Sequence, residues 1–367
     1  MAEQVTNYKC LSCTGPLKFV GESGQLECEY CGTKYDVSTI EQVYADKEES
    51  AASAGTEPKW DVSASGVSWS EEEAAHLRGY TCPSCAAEII CDDTTAATSC
   101  PYCGNPTTVP GQFSGQLKPN YIIPFKLDKP AAIAALKKYY KGKKFLPNSF
   151  AGDNHVSEIK GVYVPFWLYD GETDASMRFH ATTVSSHTSG NYRVTTTSHY
   201  RVTRDGSVAF EKVPVDGSSK MPDTHMDAVE PFDYNDLKPF SSAYFPGFLA
   251  DKYDQDAEEC STRANERIIA STEKAFIGTT KGYATITREY SNINLKKGNV
   301  SYAMLPVWLL STKWNGQNFL FAMNGQTGKL IGDLPVDRGK YWGWFFKLYL
   351  PIAAVLAAIL FLGGMIL

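Results

Sequence analysis

The feature that most constrains the fold is a cysteine motif that occurs twice in the first third of the chain. Each copy reads C-x2-C-x14-C-x2-C, and the second copy repeats the first at a constant offset. A C-x2-C pair on a tight turn directs two sulfurs at one point, and two such turns joined by a hairpin complete a tetrahedron around a metal. The sequence therefore predicts two zinc ions per chain, with the ligands Cys10, Cys13, Cys28, Cys31, Cys82, Cys85, Cys100 and Cys103.

The alternative to zinc is a redox-active cysteine pair or a set of disulfides. Redox C-x2-C motifs occur singly after a strand of a βαβ unit, whereas these occur in pairs. The first residues show no apolar segment behind a basic head, so no signal peptide is predicted and reduced thiols are expected. Four thiolates leave no coordination position for water, which indicates structural rather than catalytic zinc. Cys91 is expected to be a bystander within the second motif, and Cys260 a core residue.

The charge is distributed unevenly along the chain. Residues 1–110 contain 6 Lys/Arg and 17 Asp/Glu, while the other residues contain 29 and 24. Each filled four-thiolate site adds about two more negative charges, because four sulfurs surround one divalent ion. Such a region repels a phosphate backbone, which favours protein partners over nucleic acid.

The predicted fold class is multidomain, with two small β-rich zinc ribbons, an α+β body and one C-terminal transmembrane helix. The ribbons are expected to be joined by a flexible linker rich in Ala, Ser, Gly and Glu, with a short helix at its end. The predicted boundaries are 1–38 for the first zinc ribbon, 39–79 for the linker, 80–109 for the second zinc ribbon, 110–340 for the body and 345–367 for the transmembrane tail anchor.

Within the body, hydrophobic periodicity and turn residues predict the main elements. A helix is expected from Asp128 to Tyr140, a β-meander over 175–215 with a turn at 204–206, and an amphipathic helix over 251–276. The sequence PFWL at 165–168 is followed by PVWL at 306–309, each inside an aromatic strand. This favours a duplicated α+β unit in 118–335, the alternative being two unrelated core strands of similar composition.

The last twenty residues, Leu348 to Leu367, contain no charged side chain. A helix of that length spans the hydrocarbon region of a bilayer. Tyr and Trp residues precede the segment, together with Arg338, Lys340 and Lys347. This pattern predicts a tail anchor in the cell membrane, with a single pass and the N-terminal bulk in the cytoplasm.

Catalytic motifs are weak in this sequence. The segment 324–329 (NGQTGK) resembles a phosphate-binding loop, but its first glycine lies too close to the Gly-Lys pair and Leu330 replaces the required Ser/Thr. A β-turn between two strands is the better interpretation. His180, His187 and His199 fall in the β-meander, where they are expected at the surface or beside hydroxyl groups. No catalytic residues are predicted.

The paired cysteine motifs, the PFW strand, the segment FAMNGQTGKLIGDLP (321–335) and the run KYWGWFF (340–346) resemble a family of bacterial zinc-ribbon membrane proteins. Its members carry labels such as TFIIB-type zinc ribbon or primosomal helicase, although no helicase motif is present here. The family looks like the YdjG-type component of phage-shock-like membrane-stress operons. The resemblance implies a membrane platform that recruits a partner with a zinc-ribbon or SPFH-like fold and, through it, PspA.

Three functions are compatible with these observations. The first is a non-enzymatic membrane-anchored adaptor whose cytosolic ribbons and α+β body recruit protein partners in a membrane-stress response. The second is a membrane-tethered nucleic-acid-binding protein, which the acidic ribbon region disfavours. The third is an enzyme with a site in the β-rich body, and the size of the body is the only feature of the sequence that supports it.

Overall fold

The computed structural model describes residues 8–11, 15–21, 23–44, 60–92, 99–105, 109–112, 117–151, 156–296 and 298–364. The chain divides into two compact units. The first comprises Met1–Lys59, Gly171–Phe210 and Glu266–Gly298, and the second comprises Trp60–Asp170, Glu211–Asn265 and Asn299–Leu367.

Strands and helices are numbered here in chain order. The strands are β1 (Leu17–Val20), β2 (Gln25–Cys28), β3 (Lys34–Asp36), β4 (Leu77–Thr81), β5 (Glu88–Asp92), β6 (Val109–Gln112), β7 (Tyr121–Ile122), β8 (Lys160–Ser189), β9 (Tyr192–Asp216), β10 (Lys238–Pro239), β11 (Leu249–Asp251), β12 (Thr285–Leu295), β13 (Asn299–Trp314), β14 (Gln317–Asn324) and β15 (Leu330–Gly332). The helices are α1 (37–44), α2 (Glu71–Ala75), α3 (Lys129–Tyr140), α4 (Asp223–Val229), α5 (Ser261–Gly278) and α6 (Arg338–Gly364).

The first unit contains the three-stranded sheet β1-β2-β3 and the distal half of β8, with which β9 and β12 pair. The pairing of β12 with β8 is antiparallel, from Thr285 opposite Thr182 to Leu295 opposite Thr173. Alternating apolar residues on these strands, such as Met177 and Phe179, are buried with Phe276 of α5 in a small core. This alternation is the expected pattern of strands with one buried face.

The second unit is built on a sheet with the strand order β10-β7-β13-β8-β11-β5-β4-β6, and β14 and β15 continue from β13. Its two central strands, β8 and β13, run antiparallel with Val164 opposite Leu305. Consecutive residues of both strands are buried on both faces. Continuous apolar runs such as GVYVPFWLY therefore occupy the middle of the sheet, where helices and loops cover both sides.

The PFWL and PVWL segments lie beside each other in the central antiparallel pair. Pro165 lies opposite Met304, and Pro306 lies opposite Tyr163. On the outer sides, β7 pairs in parallel with β13 and β11 pairs in parallel with β8. If β7 and β8 belong to one copy of the α+β unit and β11 and β13 to the other, each copy places its short first strand beside the long strand of the other copy.

Hydrogen bonds repeat between the two copies as well. The indole of Trp308 donates to Leu127 O at 3.1 Å, and the indole of Trp167 donates to Gln255 O at 2.9 Å. Two glycines also match: Gly325 N donates to Pro306 O at 2.8 Å and Gly217 N donates to Pro165 O at 2.9 Å. Two aspartates that precede the helices match too, since Asp128 and Asp256 each accept from the backbone N–H three residues later, that of Ala131 and that of Glu259. These contacts show that the α+β unit is present twice in the body.

The prediction of a transmembrane helix at 345–367, and with it the single-pass localisation in the cell membrane, is wrong. Among the residues that the structure describes, no helix is both long and apolar enough to cross a membrane.

The start of α6 also packs against another part of the second unit, which the sequence did not predict. Lys340 Nζ donates to Leu146 O and to Asn148 Oδ1, each at 2.6 Å. The rings of Tyr341 and Trp344 pack edge-on against Phe145. The Tyr and Trp residues that precede the uncharged segment therefore make part of their contacts with protein.

Several local predictions differ from the structure. The predicted turn at 204–206 lies within β9, and the chain reverses instead near Gly190, which has a φ of +61°. The predicted helix over 251–276 begins later, at Ser261, although Ala264, Ile268 and Phe276 are buried as expected. The short helix at 71–75 is confirmed, with a capping box between Ser70 and Glu73.

Residues 60–70, within the segment predicted as a flexible linker, make specific contacts. Trp60 is buried, its indole donates to Asn265 Oδ1 at 2.9 Å, and its ring packs edge-on against Tyr169. Further along, Gly66 N donates to Asn120 Oδ1 at 2.8 Å. The apolar Trp in a polar segment explains this order, because a large aromatic side chain is buried where the body offers a site.

Candidate metal centres

The second cysteine motif forms a compact sulfur cluster in the second unit. The sulfurs of Cys82, Cys85, Cys100 and Cys103 all lie within 4.8 Å of one another. The closest separations are 3.6 Å, between Cys82 and Cys103 and between Cys85 and Cys100. Zinc at 2.3 Å from each sulfur of a tetrahedron requires separations of about 3.8 Å, whereas a disulfide requires about 2.05 Å. The geometry therefore fits a four-thiolate metal site.

The first motif forms a similar cluster in the first unit. The sulfurs of Cys10, Cys28 and Cys31 lie within 4.8 Å of one another, and Cys10 and Cys31 are 3.6 Å apart. Cys13, the fourth predicted ligand, lies outside the described residues. The cluster is surrounded by hydroxyl groups that can donate to thiolates, since Tyr35 Oη lies 3.4 Å from Cys10 Sγ and Thr33 Oγ1 lies 3.1 Å from Cys31 Sγ.

All four turns that carry the cysteines close with the same backbone hydrogen bond. The N–H of the first cysteine of each turn donates to the carbonyl five residues later, as in Cys28 N to Thr33 O at 2.9 Å. The other three pairs are Cys10 N to Gly15 O, Cys82 N to Ala87 O and Cys100 N to Asn105 O. The same tight turn is therefore formed at all four places. Two unrelated loops would share it only by coincidence.

The residue after the second cysteine of a turn adopts a left-handed conformation. Gly32 has a φ of +70° and Gly104 a φ of +68°, as expected for glycine. Ala86 occupies the same place in the third turn with a φ of +54°, which is strained for an L-residue. In each of these turns the residue donates its N–H back to the carbonyl of the first cysteine. The turn geometry thus imposes the conformation even where the sequence does not favour it.

In the metal-free state the thiols of the second cluster titrate unequally. Burial raises the pKa of Cys82, but hydrogen bonds from the backbone N–H groups of Cys85 and Ser84 outweigh it and bring the pKa to about 7. Burial raises the pKa of Cys85 to about 11 and that of Cys100 further. Metal binding requires thiolates, so binding displaces protons and strengthens as pH rises.

Buried polar groups surround the second cluster. Lys160 Nζ donates to Ser99 O at 2.7 Å, next to Cys100, and burial lowers the pKa of its ammonium. Tyr102 lies between the last two cysteines and is buried near Asp251. Burial raises the pKa of Asp251 to about 7, although its Oδ2 accepts from Ser218 Oγ at 2.6 Å. The sequence did not indicate these residues, because Lys160 and Asp251 are distant along the chain from the cysteines. The only signal in the sequence was a charged residue in each of the apolar strands β8 and β11.

The remaining candidate residues lie apart from the clusters. Cys91 is fully buried on β5, and Cys260 is buried with its Sγ 3.6 Å from Asp216 O, as expected for core residues. His180 and His199 stack on each other with 3.0 Å between their ring nitrogens. The segment 324–329 is a turn between β14 and β15, which confirms the β-turn interpretation.

Two sulfur clusters held by four matching turns, together with a duplicated α+β unit, define a cysteine-ribbon protein with a β-rich body. Compared with known proteins, the chain is 34% identical over 341 residues to the uncharacterized protein YdjG of Bacillus subtilis (strain 168), and the match covers 93% of each chain. The chain therefore belongs to the same family as YdjG. No protein-family model matches it, and no solved structure does.

Proposed function

We propose that this chain is a non-enzymatic adaptor that binds two structural zinc ions and recruits protein partners through its first ribbon. The observation that carries the proposal is the closed sulfur cluster of Cys82, Cys85, Cys100 and Cys103. Four thiolates fill the tetrahedral coordination of zinc and leave no open position for water or substrate. Zinc in this site stabilises a fold and supplies no Lewis acid.

The first site follows the same chemistry. Cys10, Cys28 and Cys31 supply three sulfurs, and Cys13 is assigned as the fourth ligand because its position in the motif equals that of Cys85. The sheet β1-β2-β3 contains 11 residues in its three strands, too few to bury a core. Metal binding supplies the missing folding free energy in modules of this size.

The surface of the first ribbon supports a role in protein binding. Phe19 and Tyr30 are 56% and 77% exposed, and the Tyr30 ring lies next to Gly15. Exposed aromatic side chains are enriched at protein interfaces. Acidic residues lie nearby, as shown by the Glu29 and Glu27 pairs with Lys18 and Lys34. A partner with a basic, apolar-centred surface would match this ribbon.

Elemental analysis of the purified full-length chain tests the zinc assignment. We expect about two zinc ions per chain, falling to about one in a variant that combines Cys82→Ser with Cys103→Ser. A value near zero in the wild-type chain, with its thiols reduced and accessible, contradicts the assignment.

Affinity purification of the full-length chain tests the adaptor role. We expect the double variant Phe19→Ala/Tyr30→Ala to lose co-purifying proteins that the wild-type chain retains. Tyr192→Ala is the matched control, because Tyr192 is 79% exposed on β9 and lies outside the ribbons. An unchanged set of partners in the double variant, with zinc content preserved, refutes the role of the ribbon surface.

Nucleic-acid binding is the competing function. The 17 acidic against 6 basic residues in 1–110 speak against it, since phosphate contacts require cations. A low-salt gel shift with the zinc-loaded chain decides this point. Tight DNA or RNA binding that persists at physiological salt would replace the adaptor proposal. A partner with an SPFH-like fold, which the family resemblance implies, stays a prediction.

A further inference from the structure

A cleft of about 600 Å³ lies beside the second sulfur cluster, within the second unit. One wall is the cysteine turn 99–104, and the opposite wall is the end of β13 at 309–313. Lys129 at the first position of α3 and the pair Glu158 and Lys160 complete the lining. The volume falls in the range of small-molecule sites.

Charged side chains line the cleft. Three lysines, Lys129, Lys160 and Lys313, line it together with one acidic residue, Glu158, and with Cys100 and Cys103 of the sulfur cluster. Lys129 is near enough to Lys160 for the two charges to repel each other. The Lys160 ammonium is held in position by a hydrogen bond that its Nζ donates to Ser99 O at 2.7 Å. Repulsion between fixed like charges costs free energy that a bound anion would relieve.

A hydroxyl group in the same cleft lacks a partner. Ser311 Oγ is buried and makes no hydrogen bond to the parts of the chain that the structure describes. It lies close to the Gly104 turn, since a Cβ at Gly104 would be 3.9 Å from it. A buried hydroxyl without a partner is unfavourable, so an acceptor oxygen at this point would be stabilising.

The duplicated unit provides an internal comparison. The offset that relates Pro165 to Pro306 places Ser301 at the position of Lys160, and Glu172 at the position of Lys313. The offset that relates Leu127 to Gln255 places Ala257 at the position of Lys129. The same scaffold therefore forms without any of the three lysines. The three lysines therefore occur at this cleft and are absent from the equivalent positions of the duplicated unit, which calls for a reason specific to this cleft.

We propose that this cleft binds the phosphate group of a small phosphorylated molecule. A phosphate dianion brings two negative charges and several acceptor oxygens, which the three ammonium groups and the Ser311 hydroxyl can satisfy together. A single carboxylate would use fewer of these donors. The site is independent of the adaptor role, because the first ribbon takes no part in it.

The test uses the zinc-loaded full-length chain and calorimetric titration with inorganic phosphate and, separately, glycerol 3-phosphate. We expect saturable binding that Lys313→Ala weakens about tenfold or more, as expected for the loss of one charge-assisted hydrogen bond. Ser311→Ala should weaken it less, and Lys281→Ala, an exposed lysine of the first unit, should leave it unchanged. Tighter binding of glycerol 3-phosphate than of inorganic phosphate identifies an organic phosphate as the ligand class.

Zinc content separates this proposal from its main competitor, in which the lysines only balance the negative charge of the filled sulfur cluster. Lys313 is exposed, so Lys313→Ala should retain folding and zinc while losing phosphate affinity. Absence of saturable phosphate binding by the wild-type chain overturns the proposal. So does equal binding by wild-type and Lys313→Ala. If Lys160→Met loses zinc and the wild-type chain binds no phosphate, the lysines serve to balance the charge of the sulfur cluster instead.

Discussion

The left-handed residue found in three of the cysteine turns offers a direct test of the proposed metal binding. Ala86 has a φ of +54° where Gly32 and Gly104 stand in two other turns. A left-handed conformation costs an L-residue about 1–2 kcal/mol. Glycine avoids that cost but loses about 0.4–1 kcal/mol through the greater entropy of the unfolded chain. Ala86→Gly should therefore stabilise the second module by about 0.5–1 kcal/mol.

The reverse substitution should have the opposite effect at the glycine positions. A Cβ at Gly104 would lie 3.7 Å from Ser311 O, which is an ordinary contact, and a Cβ at Gly32 would meet no atom within 4 Å. Steric overlap is thus absent at both positions, and the backbone conformation alone sets the cost. We expect Gly32→Ala and Gly104→Ala to destabilise their modules by similar amounts, about 0.5–1 kcal/mol.

Zinc affinity is the appropriate measurement, because folding of a small module and metal binding form one equilibrium. A change of 1 kcal/mol corresponds to about a fivefold change in affinity, which competition with a chromogenic chelator resolves. Gly278→Ala at the end of α5 is the control and should leave zinc affinity unchanged, since a Cβ there meets no atom within 4 Å. Weaker zinc binding by Ala86→Gly, or unchanged binding by both glycine variants, would refute the reasoning.

Two further predictions concern the body. Asp251 is buried with a pKa of about 7 against an ordinary 3.8. The folded state therefore retains a proton that the unfolded state releases, so stability falls as pH rises from about 4 to 7. Asp251→Asn should flatten this dependence, which urea unfolding at pH 5 and pH 8 measures; an unaltered slope contradicts the assignment. Trp167→Phe and Trp308→Phe each remove an indole bond to a backbone carbonyl and should cost similar amounts, about 1–3 kcal/mol each, in the same unfolding assay. A large cost at only one position would argue against their equivalence.

Sequence by itself determined the sulfur clusters and much of the local structure. The C-x2-C spacing requires a tight turn, and two such turns per module bring their cysteines together whatever the surroundings are, so the clusters could be predicted from spacing alone. Helix α3 could also be predicted from the sequence, because Asp128, Pro130 and Gly142 act on the backbone groups next to them. The PFWL and PVWL segments likewise indicated the duplication.

Tertiary structure decided the features that depend on residues distant along the chain. The second module continues the central sheet through the pairing of β5 with β11, which no local pattern in either strand specifies. The three lysines of the cleft come from separate elements and meet only when α3, β8 and β13 pack. The aromatic run 340–346 at the start of α6 could not be interpreted from the sequence for the same reason, because its composition fits an interface with lipid as well as a contact with Phe145. Composition indicates which kinds of surface a side chain can pack against, whereas only the folded chain determines which of those surfaces lies next to it.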